Sequence, residues 1–101
     1  MNKKLKNHPY ANCYVRVIND GEVLDFISYN TVVIRCRQLM PNSIIYFLEC
    51  YGLYSTTTRK QIGYFLKEYF NGLTYQDIKG IYENNKTISA KISVYLSDLQ
   101  E

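Results

Sequence analysis

The chain has 101 residues, 47% of them hydrophobic, and 12 lysines and arginines against 9 aspartates and glutamates give a formal charge of +3. That length supports one modest core but not two, and that apolar share argues against a disordered chain. No run approaches the ~18 apolar residues of a membrane span, and the weakly basic balance argues against a protein that imitates DNA with a dense carboxylate surface.

Residues 1–8 read as a flexible basic arm, and 9–101 as a single domain. Met1 to Asn7 has the charges of a signal peptide but no apolar segment behind them, so a cytoplasmic place is expected. Cys13 to Ile18 alternates as a strand, with Cys13, Val15 and Val17 on one side and Tyr14, Arg16 and Ile18 on the other. Asn19-Asp-Gly21 is a hairpin signal, because these residue types tolerate positive φ. Glu22 to Tyr29 returns as the second strand, with Leu24 and Phe26 inward. Thr31 to Arg37 alternates most cleanly, Val32, Ile34 and Cys36 against Val33, Arg35 and Arg37. A turn at Met40-Pro-Asn-Ser43 precedes a fourth strand, Ile44 to Cys50. Four such strands in succession form an antiparallel meander.

The main helix follows, over Thr56 to Phe70. Ile62, Phe65, Leu66 and Tyr69 fall at i, i+3, i+4 and i+7, one apolar stripe with Arg59, Lys60, Gln61, Lys67 and Glu68 opposite. Ser55 or a threonine after it caps the start, and Asn71-Gly72 supplies left-handed residues for the end. Thr74-Tyr-Gln-Asp77 fits a capping box for a second, shorter helix carrying Ile78, Ile81 and Tyr82. From Thr87 to Leu99 apolar residues alternate as in a strand, although Ile88, Ile92, Tyr95 and Leu99 also fit a helix. The Thr, Ile, Ser and Val content favours the strand. The expected fold class is therefore α+β: an antiparallel four- to five-stranded sheet with one main helix and a second short helix on one face.

Little of this points to catalysis. His8 is the lone histidine, and Cys13, Cys36 and Cys50 lie apart in strands, where reduced buried thiols are expected. No set of convergent acid, base and nucleophile assembles, no cluster has metal-ligand spacing, and no glycine-rich loop precedes the Ser55–Thr58 run that could hold a phosphate. No enzyme activity, cofactor, metal, membrane or small-molecule substrate is expected. Arg16, Arg35 and Arg37 should share the non-core face of the sheet, with Tyr14 beside them. Together with Tyr54, Arg59 and Lys60 near the helix start they make the candidate partner-binding surface, since packing does not account for them. Eleven tyrosines without a tryptophan fit that reading, tyrosine and arginine being the side chains that most often dominate interfaces. Arginines interleaved with aromatics on a strand face also suit single-stranded RNA. An ordinary solvated face is the alternative.

Ser28-Tyr-Asn-Thr-Val-Val33, followed by Gly52-Leu-Tyr-Ser-Thr-Thr-Thr-Arg-Lys-Gln-Ile62 and Phe65-Leu66, resembles a pattern of small phage and mobile-element proteins. There a Y-D/N-T-x-V strand precedes a Y-S-x-T-T-x-R-H-I-x-x-F helix start. The likeness covers about half the chain, departs at Lys60 where the family commonly has histidine, and stops before Leu73. Among such proteins the chain looks like a type II-A anti-CRISPR protein. That resemblance implies a stoichiometric inhibitor of Cas9 that contacts Cas9, its guide RNA or both, and interferes with their assembly or with DNA engagement. The alternative it leaves open is a small phage accessory RNA-binding protein without Cas9 inhibition.

Overall fold

Apolar residues recurring at every second position in most of the strands decide which face of the sheet is covered. The computed structural model describes residues 1–6 and 8–100. Its strands are β1 (Asn2–Lys3), β2 (Cys13–Ile18), β3 (Val23–Ser28), β4 (Thr31–Gln38), β5 (Ile45–Cys50) and β6 (Ile88–Lys91), antiparallel throughout and ordered as numbered. Between β5 and β6 the chain crosses one face as α1 (Thr56–Tyr69) and α2 (Tyr75–Glu83). Cys13, Val15, Val17, Leu24, Phe26, Ile34, Cys36, Tyr46 and Leu48 point to that face and are buried against Ile62, Phe65, Leu66, Tyr69, Ile78 and Ile81 of the helices. Phe65 lies at the centre, stacked on Phe26 at 4.8 Å and on Tyr69 at 5.3 Å. Each such side chain contributes about 1.5–3 kcal/mol by leaving water.

The α+β class stands, with six strands rather than four or five. The additional strand falls within residues 1–8, expected from the sequence to be a flexible arm. Asn2 and Lys3 pair with Arg16 and Val15, the terminal amine donates to the Val17 carbonyl, and Leu5 is buried in the core. Asn7, also within that arm, lies outside the described residues. In β4 a bulge opposite Phe26 and Ile27 turns both Val33 and Ile34 inward, which a strict alternation misplaces. Ser55 is the N-cap of α1, its hydroxyl accepting the Thr58 N–H at 3.2 Å. The capping box of α2 forms, with Asp77 accepting the Thr74 N–H at 2.8 Å.

Two termini differ from expectation. Neither Asn71 nor Gly72 turns left-handed; α1 ends because Phe70 is drawn into the core, its N–H still bonded to Leu66. The last strand stops at Lys91 instead of running to Leu99. The Ser93 N–H donates to the Tyr69 carbonyl and its Oγ accepts from Asn71, which pulls the chain off β5 towards α1. A 3-10 turn at Leu96–Leu99 then seats Leu99 against the Asn19–Gly21 turn, where all three residues have positive φ. Among the described residues no helix is long and apolar enough to cross a membrane.

Candidate binding surfaces

Residues that alternate with the core strand positions lie on the far side of the sheet from α1 and α2. Register aligns Tyr14, Ile27 and Val32 in one row across β2, β3 and β4, and Arg16, Asp25, Arg35 and Glu49 in the next across β2 to β5. A third row holds Ile18, Val23, Arg37, Phe47 and Ser89. Tyr14, Arg16, Arg35 and Arg37 thus share one face, as their spacing predicts. The carboxylates between them are the surprise. Asp25 is fully buried under the two guanidinia: it accepts from Arg35 Nε at 2.7 Å and Nη2 at 2.8 Å, and from Arg16 Nη2 at 2.9 Å. Burial pushes its carboxyl up, but the hydrogen bonds and charges of Arg35 and then Arg16 outweigh that and hold it below the usual range. The same contacts keep Arg35 protonated.

Arg37 Nη2 lies 3.1 Å from Glu49 Oε1, to which the Tyr51 hydroxyl also donates at 2.7 Å. Chiefly through Tyr51, and then Arg37, the Glu49 carboxyl is lowered. Phe47 and Tyr51 are exposed beside this pair. Sequence reasoning passed over Asp25, Glu49, Phe47 and Tyr51. The signal that finds the carboxylates is the hairpin register, which sets Asp25 opposite both Arg16 and Arg35.

Tyr54, Arg59 and Lys60 are not part of this face. Arg59 and Lys60 are exposed on the solvent side of α1, so the core and the sheet lie between them and the three arginines. Tyr54 occupies the β5–α1 junction in the left-handed region, φ 51°, with its ring folded over Gly52. A Cβ at Gly52 would come within 2.6 Å of that ring, so any other residue there would push the exposed ring aside. Lys60 faces a different neighbourhood: it lines a shallow groove of about 500 Å³ with Tyr10, Gly63, Tyr64 and Lys67.

Several other polar groups bond within the fold. Thr58 and Gln61 are buried under β3, where Ser28 Oγ donates to Gln61 Oε1 and lies 3.3 Å from Thr58 Oγ1. Within the Ser55–Thr58 run, the Ser55 hydroxyl is thus engaged in capping and that of Thr58 in this contact. His8 Nδ1 accepts the Tyr10 N–H. Among the described residues no three of His, Cys, Asp and Glu stand close enough to hold a metal ion. Comparison with protein-family models, curated proteins and solved structures finds no match to this chain.

Proposed function

We propose that the protein is a stoichiometric binding inhibitor that uses the uncovered sheet face, and that its partner is the Cas9 effector, the target implied by the resemblance to type II-A anti-CRISPR proteins. The observation that carries the binding role is the fixed Arg16–Asp25–Arg35 row beside Arg37, Phe47 and Tyr51. A buried carboxylate holds the guanidinia in place, so little side-chain freedom is lost when a partner docks. Arginine and aromatic anchors around a rigid centre are the usual carriers of interface energy. The three arginines are nearly balanced by two carboxylates on the same face, which suits a protein surface better than a phosphate backbone.

The test is a titration of the protein against a fixed amount of Cas9–guide complex cutting a target DNA, with the guide run on a denaturing gel. Cleavage should stop near one protein per complex with the guide intact. Arg37→Glu and Phe47→Ala probe the face without touching Asp25, and each should raise the concentration needed by tenfold or more. Inhibition at substoichiometric amounts with shortened guide, or full potency of both variants, refutes the reading.

A further inference from the structure

The formal charge is distributed unevenly. Segment 1–6 and α1 together hold six of the twelve cations (Lys3, Lys4, Lys6, Arg59, Lys60 and Lys67) but only one of the nine acids, Glu68, which makes +5; the remaining six cations face eight acids, which makes −2. Segment 1–6 reaches α1 through the Lys6 N–H, which donates to Glu68 Oε1 at 2.7 Å. Among the described residues Lys60 and Lys67 have no carboxylate within ion-pair distance, in contrast to the sheet arginines.

Lys60, Tyr64 and Lys67 recur at i, i+4 and i+7 and therefore stand in one row along the exposed side of α1. Two turns separate the lysines, about 10 Å along the axis. Tyr10 meets Tyr64 edge to face at 6.2 Å, and His8 meets the same ring at 6.2 Å. Between the lysines the row is notched by Gly63, which is exposed and at which a Cβ would touch nothing within 4 Å. Packing gives no reason for glycine there, in the middle of a helix that would be steadier with almost any other residue. What the missing side chain leaves is a bare stretch of helix backbone, floored for a flat ring, with tyrosines at its side and an unpaired ammonium at each end.

We propose that this groove binds single-stranded nucleic acid, a base lying over Gly63 against Tyr64 and Tyr10 while Lys60 and Lys67 take the flanking phosphates. Stacking on tyrosine tolerates any base, and two free lysines supply the backbone charge. An acidic peptide meets the cations but has no use for the ring-sized notch. The site lies on the opposite layer from the sheet face and does not depend on Cas9 as partner.

Fluorescein-labelled U20 and dT20, titrated with the full chain and read by anisotropy at several salt concentrations, test it. Binding to either supports the proposal, and a preference for U20 indicates contact with 2′-hydroxyls. Lys60→Glu/Lys67→Glu should weaken binding and flatten the log–log salt slope by about 1.4, two phosphates at 0.7 each. Tyr64→Leu should cost roughly 5- to 150-fold, the range for losing one stacked base. Gly63→Leu is the decisive variant, because it stabilises the helix while filling the notch: its melting temperature should rise as its affinity falls. No binding of U20 or dT20 at low salt overturns the proposal. So does a Gly63→Leu protein that binds as the parent does, or a 20-residue polyglutamate that binds as tightly and loses as much on Tyr64→Leu.

Discussion

Asp25→Asn tests whether the sheet arginines are held by one buried charge. The substitution keeps the shape of the side chain and removes the anion that accepts three hydrogen bonds from Arg16 and Arg35. Removing one partner of a fully buried pair costs about 3–5 kcal/mol. Here Asp25 is fully buried, whereas the Arg35 and Arg16 side chains are 29% and 41% exposed and can recover water. The expected loss is therefore smaller, about 2–3 kcal/mol in urea unfolding at pH 7. At about 4–8 °C per kcal/mol for a domain of this size, the melting temperature should fall by roughly 10–20 °C. The pH dependence supplies an independent check. Asp25 is depressed in the folded state, so its contribution is complete above the ordinary aspartate pKa, about 3.9, and is lost as pH falls through the lower folded value. The Asn variant should lack that part of the acid limb and retain the part due to Glu49, which is also depressed. A loss under about 1 kcal/mol at pH 7, or acid limbs of equal steepness in both proteins, refutes the argument.

Three further outcomes are expected. Leu66 is buried between α1 and the sheet, so Leu66→Asp combines a cavity of about 2–5 kcal/mol with an unpaired carboxylate in the core and should unfold the domain; a cooperative melt near the parent temperature by circular dichroism excludes this packing. Burial lifts the Tyr46 hydroxyl to about 12, and it donates to the Gly21 carbonyl, so the stability it confers is complete below about pH 10 and is lost between there and about 12. Tyr46→Phe should cost about 1 kcal/mol and soften alkaline unfolding; the same alkaline midpoint in both proteins contradicts it. Burial also raises the Cys13, Cys36 and Cys50 thiols, and only Cys50 is not fully buried. A thiol reagent at neutral pH should label Cys50 first and the other two only on unfolding, an order that mass spectrometry of the labelled protein reads directly.

The elements that sequence reveals are those whose two sides differ. Strands β2, β4 and β5 and helix α1 each carry a buried row and a more exposed one, so a period of 2 or 3.6 shows in the residues themselves. Strand β1 has two residues and no period; it exists because Leu5 finds the core and the terminal amine finds Val17. The bulge at Val33 adds one residue to a perfect alternation without any glycine or proline to mark it. The end of α1 departs from its local signal for a related reason. Asn71-Gly72 is a good local stop, but burial of Phe70 and the bond from Asn71 to Ser93 decide the path first. Ser93 is also what shortens the last strand, an interaction across 22 residues that no window of sequence contains.

For the binding surface, sequence separates faces but not partners. Strand alternation puts Arg16, Arg35 and Arg37 together, and helix periodicity puts Arg59 and Lys60 outside. Neither tells that the two sets lie on opposite layers, because that depends on which face of the sheet α1 covers. Burial of Phe26 against Phe65 settles it. Nor does a count of arginines distinguish charges already satisfied from charges still available. Asp25 and Glu49 engage the sheet arginines within the fold, whereas Lys60 and Lys67 meet no described carboxylate. A protein of net charge +3 can therefore present a nearly balanced face and a strongly basic one at once. The first favours docking through oriented side chains that salt screens little, and the second favours contacts that weaken as salt rises. Salt dependence measured on variants of each surface separates the two, because only changes on α1 should alter the slope.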